Sequence, residues 1–566
     1  MLAVALGCAP QRPGLSTPAE PPAKAVAAPP PSTTIASAAS VADPRSDATD
    51  AVFQAFARDD RPGCAVAVSE HGRKVLSRAY GMANLDYGLR LTPETRFYLA
   101  STTKQITALT VALLARDGLL SLDDDIRKYV PQLPDYGATV RVEQLIHQTS
   151  GIMDHSVLAY YAGRRADDVM TVDDALELIE HQPQLNFAPG TNWSYSNANY
   201  VLLEVLVQRV TGRSLAQVAA ERIFTPLGMA HSLYREHHGT IVPNRATGYA
   251  EVNGRWIQVN LNADTAGPGG LYSTPEDLLR WSTQLSDKTL GAELQQAQVT
   301  SGRLADGTET GYGYGLFLRP VLGQRAYEHD GGVDGYRSEL LYFPDAQLAV
   351  AVACNASDAD APDLGHKTAS IFLPAAPQTA APSRSPSAAT AVTENARVYA
   401  GIYWSRDAGA VNHLELDGAM LRLRINAETV RDLRALGGGS FEVLGASVPM
   451  TLTFAPPLAG RSPHMTKLRD SSPATHWQRV EPPDLRPATL RTYAGAYRSV
   501  PGATWVFRVD ADKLIVRRPH ETDAILVPVF RDGFRDGPDG DILFFDGRDW
   551  IVNNERIHAL RFTRAR

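Results

Sequence analysis

Phe97-Tyr98-Leu99-Ala100-Ser101-Thr102-Thr103-Lys104 runs into apolar residues at Ile106, Leu109, Leu113 and Leu114. Their three- and four-residue spacing predicts an amphipathic helix that starts near Ser101 and buries one stripe. Ser101 then lies at a helix N-terminus, where free N–H groups and the helix dipole favour developing negative charge. Lys104 returns to the same face three residues later, which brings an amine within reach of the serine hydroxyl. A serine placed this way is a candidate nucleophile. A capping serine followed by a solvated lysine gives the same four letters without any chemistry, so the pair needs company.

The company comes further along the chain, as Tyr195-Ser196-Asn197 and then His329-Asp330-Gly331. Ser101/Lys104 is the only Ser-x-x-Lys in the sequence and Tyr195/Asn197 the only Tyr-x-Asn. In this order the three groups resemble the serine β-lactamase and penicillin-binding-protein-like family, in the branch of class C β-lactamases, D-alanyl-D-alanine carboxypeptidases, D-aminopeptidases and related esterases. Leu145-Ile146-His147-Gln148-Thr149-Ser150-Gly151 and Ile223-Phe224-Thr225-Pro226-Leu227-Gly228-Met229 also resemble segments of that family, and both read as packing. His147 is expected to be a satisfied, buried histidine. The resemblance covers about residues 50–373.

What the resemblance implies is an α/β (α+β) fold: an antiparallel β-lactamase/transpeptidase-like sheet flanked by helices. Ser101 would be the nucleophile, with Lys104 and Tyr195 as the groups that move its proton. Either a phenolate beside an ammonium or a neutral lysine in an apolar setting can do this. Asn197 would bind the substrate and hold Lys104. The oxyanion hole would be the backbone N–H groups of Ser101 and Gly332, with Gly331 letting backbone approach the substrate. His329 stands where Lys-Thr-Gly β-lactamases have lysine, and it is expected to bond Tyr195 or a substrate carboxylate. That departure points to peptidase and esterase chemistry, with β-lactamase activity secondary. Asp330 either attracts a cationic group or alternates away from the site along its strand.

The function implied is hydrolysis of a small amide, ester or D-amino-acid-containing peptide through a Ser101 acyl-enzyme, with a small molecule or short peptide as substrate. The alternative is a catalytically weak penicillin-binding or scaffold protein whose C-terminal barrels recruit a partner. No cofactor or metal is expected, because the three cysteines lack ligand spacing. Ala266-Gly267-Pro268-Gly269-Gly270-Leu271 has no Gly-Lys-Ser/Thr ending and no preceding strand, which argues against a phosphate cradle. A net charge of −7 with no basic tract argues against nucleic acid. No stretch approaches the roughly 20 apolar residues of a membrane span. Nothing in the sequence sets the oligomeric state.

At 566 residues the chain is too long for one ordinary domain. Met1-Leu2-Ala3-Val4-Ala5-Leu6-Gly7-Cys8 resembles the end of a bacterial lipoprotein signal, with Cys8 as the lipid attachment and an extracytoplasmic, periplasmic or membrane-anchored location. A disordered tail with a stray cysteine is the other reading. Residues 1–45 are taken as signal remnant and disordered tether, 46–374 as the hydrolase domain, and the Pro/Ala/Ser-rich 375–394 as a linker. Beyond it, Tyr399-Ala400-Gly401-Ile402-Tyr403 returns as Tyr493-Ala494-Gly495-Ala496-Tyr497. This repeat predicts two copies of one small antiparallel barrel, at 395–482 and 487–566. The layout resembles that of serine hydrolases of this branch with appended lipocalin-like barrels, D-aminopeptidases among them. Cys64 and Cys354 each sit in a run of Ala and Val that reads as a buried strand. Two independent core thiols are the expected reading, with a disulfide between neighbouring strands left open.

Overall fold

The computed structural model describes residues 43–165, 167–374 and 396–565, apart from 407, 419, 426–428, 447–449, 460, 470–473, 501, 538 and 539. Cys8, residues 1–42 of the tether and the whole of the linker lie outside the described residues.

Six strands form the central antiparallel sheet: β1 (Cys64–Glu70), β2 (Arg73–Tyr80), β3 (Phe317–Val321), β4 (Gln324–Val333), β5 (Tyr336–Phe343) and β6 (Leu348–Cys354). Their order is β3-β4-β5-β6-β1-β2, so the first and last strands of the sequence unit meet in the middle. Side chains alternate between two cores. Ala65, Ala67, Leu340, Ala349, Ala351 and Ala353 face one, and Val66, Val68, Leu341, Phe343, Val350 and Val352 face the other.

Five helices matter for the site: α1 (Lys104–Arg116), α2 (His155–Tyr161), α3 (Asn197–Thr211), α4 (Pro275–Asp287) and α5 (Ala361–Phe372). The alanine face of the sheet lets α4 pack closely through Leu278, Trp281 and Leu285. Helix α5 covers the opposite face through Leu364 and Phe372. Thr274 caps α4 by accepting the Asp277 N–H, and Pro275 follows at the first turn. Helix α3 is buried from Ala198 to Val207 and ends at Gly212 with φ +67°, the left-handed stop its sequence predicts.

In β1 and β6, Cys64 lies directly opposite Cys354, and the two form a disulfide. This corrects the expectation of two independent thiols. Each cysteine does sit in a buried apolar strand, but the register that makes them partners is a property of the sheet. The bond closes a separation of 290 residues. Replacing both cysteines by alanine is expected to cost about 2–5 kcal/mol of stability. Thermal unfolding of the variant against the oxidised parent checks this, and an unchanged Tm would contradict it.

The C-terminal part consists of two closed eight-stranded antiparallel barrels, with strands from Gly401–Ser405 to Thr475–Val480 and from Gly495–Ser499 to Leu560–Arg564. The repeated Tyr-Ala-Gly-x-Tyr has a mechanical cause. In each barrel an arginine of the closing strand, Arg479 or Arg564, donates to the carbonyl of Ala400 or Ala494. Its guanidinium lies over the Tyr403 or Tyr497 ring, at 5.7 and 5.6 Å. A Cβ on Gly401 or Gly495 would meet that guanidinium at 2.6 or 3.1 Å, and both glycines hold positive φ, +155° and +146°.

The second barrel shares a core with the hydrolase-like unit. Met153, Leu158, Ala159 and Tyr161, mostly on α2, pack with Trp505, Phe562 and Trp550 of the barrel. Tyr161 meets the Trp505 ring at 5.5 Å. The stretch after Met153 is therefore the barrel's seat, and its irregular sequence reflects two sets of neighbours.

Candidate active site

The α-helix begins at Lys104, and Ser101 sits one turn earlier in a 3₁₀ turn, Ala100–Thr103. Ala100, just before the serine, has φ +47° while almost fully buried. Strain of this kind persists only where the surroundings enforce it. Here Thr102 Oγ1 donates to the His329 carbonyl at 3.0 Å, and Ser338 Oγ donates to the Leu99 carbonyl at 2.7 Å. The serine turn is thereby latched to β4 and β5.

Lys104 is fully buried, whereas Ser101 keeps partial exposure. Lys104 Nζ lies 3.1 Å from Ser101 Oγ, 2.9 Å from Asn197 Oδ1 and 2.7 Å from the Pro268 carbonyl. The Pro268 loop is itself fixed, because the buried Glu204 of α3 accepts the Gly267 N–H at 2.7 Å. Burial pushes the Glu204 carboxyl up to about 8, so near neutral pH it is largely protonated.

The Tyr195-Ser196-Asn197 turn is held from two sides. Gln148 Oε1 accepts the Ser196 N–H at 3.0 Å and the Asn199 amide at 2.6 Å. Asp154 Oδ2 accepts the Asn197 N–H at 2.7 Å, while its other oxygen caps α2 through the Ser156 and Val157 N–H groups. His147 is buried, with Nδ1 3.0 Å from the Tyr312 carbonyl, which is the structural role expected.

Gly331 packs against the serine turn. A Cβ there would fall 2.1 Å from the Leu99 carbonyl, 2.4 Å from Ser338 Oγ and 3.1 Å from the Ser101 N. Gly332, one residue on, is exposed, and the nearest atom that an added Cβ would meet is on Arg337, at 3.8 Å. Ser101, Lys104, Tyr195, Asn197, Gly331 and the His329 backbone thus converge on one place.

The comparisons with known proteins bear on this place. The Beta-lactamase family profile matches residues 49–371, more than half of the chain. This chain belongs to the Beta-lactamase family. It is 32% identical over 306 residues to a D-aminopeptidase of Brucella canis, covering 53% of this chain and 58% of that protein. The match thus spans a little over half the length of the curated relative. The octameric penicillin-binding protein homologue from Pyrococcus abyssi superposes with a TM-score of 0.52 at 22% identity, over 76% of this chain and 99% of that one. The D-amino acid amidase from Ochrobactrum anthropi SV3 gives a TM-score of 0.50 at 21% identity, over 58% and 99%. At these identities the two structures show the fold.

Within this Beta-lactamase-family site, burial sets the protonation pattern. Desolvation drives the Lys104 amine well below its ordinary value, and Arg556 pushes it the same way. Desolvation raises the Tyr195 phenol, with Ser101 and Arg556 opposing only part of the rise. Tyr195 Oη is buried without a hydrogen bond of regular geometry among the described residues. Nζ of Lys104 stands 4.8 Å from the centre of the Tyr195 ring.

His329 departs from expectation. It is 2% exposed, with Nδ1 2.6 Å from the Asp330 carbonyl and Nε2 3.1 Å from the Tyr312 hydroxyl. Burial lowers its pKa to about 3, so the ring is neutral, with its one N–H directed at a carbonyl and its lone pair accepting from Tyr312. It has no N–H left for Tyr195 or a substrate carboxylate, which corrects that role. Asp330 pairs in register with Glu339, on the face opposite Leu340, and so alternates away from the serine.

Three contributors escape sequence reading. Asp154 carries no motif, although an Asp before a helical stretch is a capping signal, and Gln148 lies in the 145–151 segment, whose resemblance reads only as packing. Arg556 comes from the second barrel, in the turn between Trp550–Asn553 and Leu560–Arg564. Its guanidinium carbon lies 5.1 Å from the centre of the Tyr195 ring, and Nη1 lies 3.8 Å from Asp154 Oδ2.

Proposed function

We propose that this protein is a serine hydrolase that cleaves a small amide, ester or D-amino-acid-containing peptide through an acyl-enzyme on Ser101. The observation that carries the reading is the set of partners around Lys104 Nζ. A neutral amine has two N–H bonds and one lone pair. With the N–H bonds directed at Asn197 Oδ1 and the Pro268 carbonyl, the lone pair faces the Ser101 hydroxyl, which is the arrangement a general base needs.

In this reading Ser101 Oγ attacks the substrate carbonyl carbon as Lys104 takes its proton. The oxyanion is met by the Ser101 and Gly332 N–H groups. Tyr195, kept protonated by burial, gives its proton to the leaving group, and Lys104 returns a proton to the phenolate. Water then releases the acyl group by the reverse transfers. The D-aminopeptidase named among the relatives supports a peptide with a D-residue as substrate. The neutral, internally bonded His329 supports peptidase or esterase chemistry over β-lactam turnover. The Cys64–Cys354 disulfide supports an oxidising, extracytoplasmic location.

The test is to expose the full chain briefly to an activated acetyl ester and measure intact mass, then digest and locate the adduct. One acetyl on the peptide that contains Ser101, lost with time as acetate appears, is the expected result. A stable adduct on another residue, or no adduct and no hydrolysis, would overturn the reading.

A further inference from the structure

The turn that carries Arg556 is built to hold it. Asn554 Oδ1 accepts the Arg556 and Ile557 N–H groups at 2.9 and 2.8 Å, and Asn553 Oδ1 accepts the Ala559 N–H at 2.8 Å. Across the domain boundary, Asn186 donates from Nδ2 to the Arg556 carbonyl at 2.9 Å and accepts the His558 N–H at 2.7 Å through Oδ1. Ser194, next to Tyr195, donates to the Glu555 carbonyl at 2.8 Å. The backbone of the turn is thus tied to the segment that leads into Tyr195.

The side chain is used differently. Among the described residues the Arg556 guanidinium makes no hydrogen bond. Its contacts are the face of Tyr195 and a 3.8 Å approach to Asp154. At 3.8 Å Asp154 is an ion-pair neighbour beyond hydrogen-bond distance, and that fully buried carboxylate already accepts three backbone N–H groups. The Arg556 side chain is 43% exposed. The result is a planar cation with its donors unspent, held beside the group that meets the leaving group. Planar, paired N–H donors match a carboxylate.

We propose that Arg556 anchors a carboxylate of the substrate, so that the second barrel completes the substrate-binding site. This rests on the serine-hydrolase reading and deepens it. The substrate class is a short peptide or acylated amino acid whose free carboxylate lies close to the bond cut. His329 cannot serve that group, since its ring nitrogens are taken within the chain. A substrate ammonium placed at the same point would meet like charge. The anchor also gives the barrel's shared core with α2 a purpose: it fixes the cation relative to Ser101.

The experiment uses the full chain and two ligands that differ only in charge, N-acetyl-D-alanine and N-acetyl-D-alaninamide, as protectants of Ser101 against p-nitrophenyl acetate. The acid should protect the parent at a concentration about 10- to 100-fold lower than the amide, the range of a hydrogen-bonded charge. In Arg556→Ala and Arg556→Gln the two ligands should protect within about threefold of each other. Arg556→Lys should keep part of the preference, and Arg556→Glu should reverse it. An acid preference that survives Arg556→Ala and Arg556→Gln, or a parent that shows none, overturns the proposal. If the ester never labels Ser101, the hydrolase reading fails instead. Calorimetric titration of the same ligands into the same variants then reads the anchor by itself.

Discussion

Lys104→Met is expected to lower kcat/KM for an activated ester by about 10²- to 10⁴-fold, the range of a positioned general base. Methionine keeps the length of the side chain and removes the amine, so Ser101 stays in its turn without a proton acceptor. The loss should fall on acylation, read as the rate of Ser101 labelling rather than the lifetime of the adduct. A second consequence follows from the lowered amine pKa. Below the ordinary lysine value of about 10.4 the unfolded chain binds a proton at this position more readily than the folded one. Lys104 therefore adds stability as pH rises from its folded pKa toward that value, and Lys104→Met removes this part of the slope. Thermal melts of parent and variant across that range measure the difference. A variant that labels at the parental rate would show that Lys104 is not the base.

The parts of the site visible in the sequence are those with local geometry. Ser101 and Lys104 share a face because one helical turn separates them, and Tyr195-Ser196-Asn197 is rigid because a buried helix follows it. Even so, the sequence places the helix start at Ser101, whereas the chain makes a 3₁₀ turn first and begins α1 at Lys104. The barrels were legible through the Tyr-Ala-Gly repeat, since each copy must let an arginine of its own closing strand cross a glycine. Register was not legible. Cys64 and Cys354 look like any small core residues until β1 and β6 are aligned. His329 occupies the expected strand position, but its bonds to Tyr312 and to the Asp330 carbonyl depend on what surrounds that strand. Arg556 was the least accessible, because 361 residues separate Tyr195 from it, and only the docking of a barrel brings them together.

Gly331→Ala tests the other side of the nucleophile, and its expected effect is a loss of about 10²- to 10³-fold in kcat/KM, comparable to removing one oxyanion donor. The cause is space rather than backbone freedom. The added methyl would fall 2.1 Å from the Leu99 carbonyl and 2.4 Å from Ser338 Oγ, and those two atoms are bonded to each other at 2.7 Å. Neither can yield without the other, and both hold the turn in which Ala100 is strained and Ser101 follows. Relief must therefore move the Ser101 N–H, 3.1 Å from the same point, away from the position where it would meet the oxyanion. Overpacking of this kind also costs about 1–3 kcal/mol of stability, so labelling should be measured well below the variant's own Tm. At Gly332 the added methyl meets only the Arg337 side chain, at an ordinary contact distance of 3.8 Å, and Gly332→Ala should cost far less. Equal losses at the two glycines would mean that the strand as a whole, not the fit of Gly331 against Ser101, sets the rate. Parental labelling by Gly331→Ala would mean that the serine turn has room the structure does not show.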